Sequence, residues 1–251
     1  MQATVHYLYN SGFALETEKH LFIFDYYLDD PPSGGLRHGV INPREIAALG
    51  KETVVLVSHG HFDHFNRVIF GWRGAIPGVR YVLSSDIPHR PGIAAAIAPG
   101  EERDFGDFTL RALHSTDLGV AFLIKTEGLT LYHGGDLNWW HWESEGKAYC
   151  NNMAVHYKAA IEKLASAVRD EAADNGIAPA ITAAMAPLDP RLGEEAEGLG
   201  LEWLLKNVEV LHAFPMHLWK RFETIDRFRA AYPALAARVV RITADGETFE
   251  V

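Results

Sequence analysis

The chain has 251 residues, of which 48% are hydrophobic and 22% charged, so it can bury the core of one large α/β domain over residues 1–251. Its net charge of −10 argues against nucleic acid and anionic membranes, because both require a clustered basic face. No stretch approaches the roughly 18 apolar residues of a membrane helix. The single cysteine, Cys150, cannot form an internal disulfide, which favours a cytoplasmic protein.

Short apolar runs and helical periodicities alternate along the chain. In chain order they predict strands at residues 5–9, 13–15, 21–24, 53–57, 80–84, 108–113, 120–125, 129–132, 180–184, 208–211, 239–243 and 248–251, a loop over 29–39, and helices at 43–49, 152–173, 194–206 and 221–231. The two groups of strands indicate two sheets with helices on the outside, a layered α/β architecture.

The stretch SHGHFDHFN follows the buried strand at 53–57 and places three histidines and a carboxylate within six positions. His59 and His61 are one residue apart in extended chain, so both can reach one metal ion. Asp63 and His64 come a step later and can turn toward a second ion. Chance would give this H-x-H-x-D-H spacing only about twice in 1,000 shuffled chains, so the stretch predicts a metal site.

Three further candidates also follow predicted strands, where loops present side chains to solvent. His114 follows the strand at 108–113, Asp136 follows that at 129–132, and His217 comes after that at 208–211 across a proline-bearing loop. With the first four they give seven candidate ligands. Imidazole and carboxylate suit zinc, manganese or iron.

The order of these residues resembles the metallo-β-lactamase superfamily, and Ser115, Gly119 and Pro215-Met216-His217-Leu218 look similar to its lactonase-like branch, which includes ascorbate-phosphate lactonases. The resemblance implies a four-layer αββα sandwich. It also implies two divalent ions, most simply zinc. His59, His61 and His114 would hold the first ion, Asp63, His64 and His217 the second, and Asp136 would bridge them.

On this resemblance the protein is a dinuclear hydrolase that uses a metal-bridging hydroxide on a small-molecule ester, lactone or phosphodiester. Asp63 and Asp136 are the catalytic carboxylates. The sequence does not decide whether the protein forms a homo-oligomer. Two alternatives use the same ligands: a di-iron protein with redox chemistry, and a metal-binding sensor without turnover.

Several residues near the predicted ligands are candidate substrate contacts, each with a structural alternative. Trp139, Trp140 and His141 follow Asp136 and can form an apolar wall, or pack the long helix onto the sheet. Asn10 lies in a turn that the family geometry places near the metals, although Asn-Ser-Gly is also ordinary turn chemistry. Arg191 is a candidate clamp for a carboxylate or phosphate, or a solvated surface residue.

We expect Asp63→Ala and Asp136→Ala each to abolish turnover, because either change removes a catalytic carboxylate. The measurement is the steady-state rate together with the metal content of each variant. Full activity in either variant with its metal retained would contradict the assignment.

Overall fold

The computed structural model describes residues 3–29, 33–88, 92–175 and 179–251, which form thirteen strands and four α-helices. The strands are β1 (Thr4–Tyr9), β2 (Gly12–Glu16), β3 (His20–Phe24), β4 (Glu52–Val57), β5 (Arg80–Ser84), β6 (Ala95–Ile97), β7 (Glu102–Asp104), β8 (Thr109–His114), β9 (Val120–Thr126), β10 (Leu129–His133), β11 (Ile181–Pro187), β12 (Val210–Met216) and β13 (Thr248–Glu250). The helices are α1 (Pro43–Ala48), α2 (Gly146–Asn175), α3 (Leu199–Asn207) and α4 (Glu223–Ala231).

The chain divides into two compact units. The first comprises Met1–Ala98 with Thr243–Val251, and the second comprises Pro99–Ile242. Each unit contains one mixed sheet. The single domain over residues 1–251 stays a prediction.

The sheet of the first unit has the strand order β13-β1-β2-β3-β4-β5-β6. Strands β3 to β6 run parallel, whereas β13, β1, β2 and β3 pair antiparallel. Leu21 and Ile23 of β3 and Val55 and Val57 of β4 are fully buried and pack with Ile46 of α1. Because β3 and β4 are parallel neighbours, the residues that follow them emerge at the same edge of the sheet.

The sheet of the second unit has the order β12-β11-β10-β9-β8-β7. Strands β10, β11 and β12 are parallel, and β9 is antiparallel to both β8 and β10. The carboxyl ends of β8, β10, β11 and β12 therefore lie along one edge. Asp136, Asp189 and His217 follow the last three of these strands, and His114 ends β8.

Most predicted elements are confirmed within a few residues, including the strand that precedes the histidine stretch. The strand predicted at 239–243 is wrong, because only an isolated bridge joins Val239 to Ala213. The helix predicted from residue 194 begins at Leu199, since the backbone N–H of Ala196 and of Glu197 donate to Gly193 in a tight turn first. Residues 30–32 of the predicted loop lie outside the described residues.

Strand β12 is longer than the sequence predicted and includes Pro215. It is the edge strand of its sheet, so the missing N–H of proline costs no ladder hydrogen bond. His217 thus follows the strand directly rather than after a loop.

Among the described residues, none of the helices is long and apolar enough to span a membrane.

Replacing Ile23 by alanine removes a fully buried side chain from the core of the first unit. We expect Ile23→Ala to lower the free energy of unfolding by about 2 to 5 kcal/mol, measured by urea denaturation. The matched control is Leu49→Ala, since that side chain is 37% exposed and we expect a change within about 0.5 kcal/mol. Equal effects of the two changes would contradict this description of the core.

Candidate metal centre

The loop after β4 brings four of the predicted ligands together in the first unit. His59 and His64 are fully buried and Asp63 is 6% exposed, whereas His61 is exposed. The rings of His59 and His64 lie 4.0 Å apart between centroids. Nε2 of His64 is 3.8 Å from Oδ2 of Asp63.

Asp25, the residue after β3, is a fully buried carboxylate that accepts three hydrogen bonds at this edge. Its Oδ1 accepts from the backbone N–H of Ser58 at 2.7 Å, and its Oδ2 accepts from the Ser58 hydroxyl at 2.6 Å. Oδ2 also lies 2.7 Å from Nδ1 of His64. A carboxylate only accepts, so Nδ1 of His64 carries the proton and Nε2 keeps its lone pair.

The same carboxylate orients His59 through Ser58. Because the Ser58 hydroxyl donates to Asp25, its oxygen accepts from Nδ1 of His59, which lies 3.0 Å away. Nε2 of His59 is then the lone-pair nitrogen, and it lies 3.0 Å from Nδ1 of His61. Two ring nitrogens at this distance need a proton on the His61 nitrogen or a cation bound to both.

Two further residues hold the backbone of this loop. The Ser11 hydroxyl donates to the carbonyl of Asp63 at 2.5 Å. The backbone N–H of Gly60 donates to Oδ2 of Asp86 at 2.9 Å. The side chain of Asp86 therefore holds the backbone of the histidine loop at Gly60, and the side chain of Ser11 holds it at Asp63.

In the second unit, Asp136 and His217 face each other. Nε2 of His217 lies 2.9 Å from Oδ1 of Asp136, and both side chains are buried. Nδ1 of His217 lies 3.3 Å from Oδ2 of Asp189, a fully buried carboxylate after β11. With the proton on Nδ1, Nε2 of His217 and Oδ1 of Asp136 are both lone-pair carriers. An additional proton or a metal cation is needed to stabilise that contact.

Arg191 holds Asp189 in place. Its Nε lies 2.9 Å from Oδ1 and its Nη2 lies 2.5 Å from Oδ2 of Asp189, and its guanidinium lies 4.5 Å from the ring centroid of Trp219. Burial raises the pKa of Asp189, but hydrogen bonds and charge from His217 and Arg191 leave that pKa below its ordinary value. Asp189 therefore remains a carboxylate that accepts from His217.

Asp25 and His217 both adopt left-handed backbone conformations, with φ of 44° and 62°. Such conformations cost non-glycine residues about 1 to 3 kcal/mol and persist where the surrounding structure enforces them. For Asp25 the enforcing contact is its own N–H, which donates to Leu56 of β4. Two of the six described non-glycine residues with positive φ are therefore an orienting carboxylate and a candidate ligand.

Trp140 holds the backbone of Asp136 in place through a hydrogen bond. It is 5% exposed, and its Nε1 donates to the carbonyl of Asp136 at 3.0 Å. Its ring meets His217 edge-on at 5.9 Å between centroids. Trp139 instead packs edge-on against Trp203, and the ammonium of Lys158 lies over both rings.

The remaining predicted residues are placed as follows. His114 is exposed at the end of β8 and lines a groove against α2. Asn10 is 2% exposed in the turn after β1, and His141 is partly buried. The metal assignment of His114 stays a prediction. The same holds for the substrate contacts assigned to Asn10, Trp139, Trp140, His141 and Arg191.

Sequence reasoning missed the residues that orient the candidate ligands. Asp25 directly follows a fully buried strand, a signal that was present in the sequence. No role was predicted for Asp189, and Ser58 was only the first residue of the SHGHFDHFN stretch. Asp25 and Asp189 each lie beside a candidate ligand because two parallel strands end at one edge.

No family model matches the chain, but its sequence is similar to that of a metal-dependent hydrolase. It is 29% identical over 145 residues to a UPF0173 metal-dependent hydrolase of Carboxydothermus hydrogenoformans. The match covers 52% of this chain and 60% of that relative.

Two solved structures resemble the chain over its whole length. One is Igni18, a metallo hydrolase from the archaeon Ignicoccus hospitalis, with 16% identity and a TM-score of 0.64 over 100% of this chain and 99% of that chain. The other is the metallo-β-lactamase fold protein YhfI of Bacillus subtilis, with 12% identity and a TM-score of 0.61 over 100% and 99%. The chain therefore has the metallo-β-lactamase fold, which confirms the predicted fold class.

Asp25→Asn and Asp189→Asn each remove a carboxylate that fixes a histidine tautomer. We expect each change to weaken metal binding 10- to 100-fold, because the ring nitrogen that faces the metal is no longer held unprotonated. The measurement is competition for zinc against a chromogenic chelator, with circular dichroism to verify folding.

Asp29→Asn is the matched control, because Asp29 is an exposed carboxylate four residues after Asp25. It should leave the zinc affinity unchanged. If a folded Asp25→Asn or Asp189→Asn variant bound zinc as tightly as this control, the orienting role would be refuted.

Proposed function

We propose that the protein is a metal-dependent hydrolase that binds two divalent ions through seven ligands. The observation that supports this best is a pair of buried carboxylates beside buried histidines. Asp25 lies 2.7 Å from Nδ1 of His64 and Asp189 lies 3.3 Å from Nδ1 of His217, so Nε2 of each ring is the nitrogen that faces a metal ion. Burying a carboxylate is costly, so two carboxylates buried against the rings of candidate ligands support a role beyond packing.

The donor set fits divalent transition metals. The proposed ligands are His59, His61, His114, Asp63, His64, His217 and Asp136. Imidazole nitrogens with few carboxylates suit zinc best, with manganese or iron as alternatives. In the proposed allocation His59, His61 and His114 hold one ion, Asp63, His64 and His217 hold the other, and Asp136 serves both.

Divalent ions held by such ligands activate water and polarise the oxygen of a scissile bond. The chain supplies the rest of the chemistry. The Asp63 carboxylate accepts the proton of the attacking water, and the hydrogen bond from Ser11 to its carbonyl fixes the backbone from which it acts. Trp140 and Thr116 hold the backbone of Asp136 through its carbonyl oxygen, at 3.0 Å and 3.3 Å.

The proposed substrate is a small molecule, either a lactone or other ester, or a phosphodiester. The names of two similar proteins, a metal-dependent hydrolase and a metallo hydrolase, support hydrolysis. The lactonase-like branch of the superfamily is the narrower proposal, on the residues around His114 and His217. Antibiotic hydrolysis is not proposed, because Asp136 stands where the commonest β-lactamases of this fold use a cysteine.

The experiment is elemental analysis of protein purified without added metal, followed by rates on a matched pair of lactone and bis-aryl phosphodiester substrates. We expect about two zinc or manganese ions per chain. We also expect hydrolysis of one of the two substrate classes, lost on chelation and restored by the metal.

Other outcomes separate the competing functions. Iron without hydrolysis of either class would favour the di-iron redox protein. Bound zinc with no turnover on either class would favour a metal-binding sensor. Protein without metal, and with no affinity for zinc, would refute the site.

A further inference from the structure

The second unit contains a groove that the proposed catalytic residues do not account for. It encloses about 650 Å³ between one face of α2 and the carboxyl end of β8. That volume lies within the range of about 300 to 1,000 Å³ that is usual for small-molecule sites. The groove is therefore large enough for a small organic ligand.

The wall on α2 is a single helical face. His156, Ala160, Lys163 and Ala167 recur at spacings of three or four residues, which places them on one side of the helix. The alanines fill little space, and this leaves the groove open along its middle. Leu113 of β8 contributes an apolar surface opposite them.

The charges in the groove do not cancel. Arg111 is bound to Glu102, with Nε 2.7 Å from the carboxylate, so this pair contributes little net charge. Lys163 and His156 are exposed, and neither forms an ion pair with any carboxylate in the part of the chain that the structure describes. The charged side chains that line the groove therefore sum to one positive charge, on Lys163, in a chain whose net charge is −10.

We propose that this groove binds the anionic end of a small organic substrate, a carboxylate attached to a compact apolar body. Lys163 pairs with the carboxylate, and the alanine face and Leu113 contact the body. His114 lines the same groove, so a ligand there would lie beside a proposed metal ligand. The role of the groove as a substrate site rests on the proposed hydrolase function, whereas its binding of an organic anion does not.

The experiment compares benzoate with its neutral isostere benzamide by titration of the ¹⁵N-labelled full chain, as purified and again after chelation. We expect benzoate to shift the amide signals of residues 111–116 and 156–167 and to bind at least tenfold more tightly than benzamide. Lys163→Gln should weaken benzoate at least fivefold and leave benzamide unchanged, while Lys163→Arg should retain benzoate binding. Lys147→Gln is the control, because it removes an exposed charge from the same helix outside the groove.

Equal affinities for the two ligands, or no effect of Lys163→Gln, would overturn the proposal. Benzoate shifts that disappear on chelation would also overturn it, since they would place the carboxylate on a metal ion. Benzoate binding that survives chelation supports the groove even if the chain hydrolyses nothing. Failure of the groove and failure of the hydrolase are thus separate results.

Discussion

The candidate centre depends on one buried carboxylate. Asp25 accepts from the backbone and hydroxyl of Ser58 and from Nδ1 of His64, and through Ser58 it also orients His59. A buried charge is tolerated only when hydrogen bonds satisfy it, and these donors do so. Because Nδ1 of each histidine carries the proton, Nε2 of the same ring keeps a lone pair that can bind a metal ion. The strand order brings Asp25 close to Ser58 and His64, since parallel β3 and β4 end side by side.

The second unit repeats the arrangement with different residues. Asp189 after β11 lies beside His217 after the parallel strand β12, and Arg191 keeps the carboxylate charged. The N–H of Leu188 donates to the carbonyl of Met216, which continues the ladder beyond the strands up to these two side chains. In both units a strand end supplies a candidate ligand, and the neighbouring parallel strand supplies the carboxylate that orients it. Arg191, a candidate substrate clamp, pairs with Asp189 in the structure.

The sequence predicted much of this, and the reasons for the omissions are physical. The spacing from His59 to His64 after a buried strand identified the cluster, because local spacing constrains where neighbouring side chains can lie. Asp25 was missed because its partners are 33 and 39 positions away, and only strand pairing brings them together. Pro215 suggested a loop, since proline is rare in strands, but an edge strand tolerates it. No local pattern reveals the groove, which forms only when α2 packs near β8.

The most direct test is the protonation of the two histidine rings, observed by long-range ¹H–¹⁵N correlation spectra of the metal-free chain. His64 and His217 should each carry a proton on Nδ1, and zinc should shift the Nε2 resonances. Assignment comes from spectra of His64→Gln and His217→Gln. A proton on Nε2 with Nδ1 bare in either ring would contradict the claim that buried carboxylates prepare these nitrogens for metal.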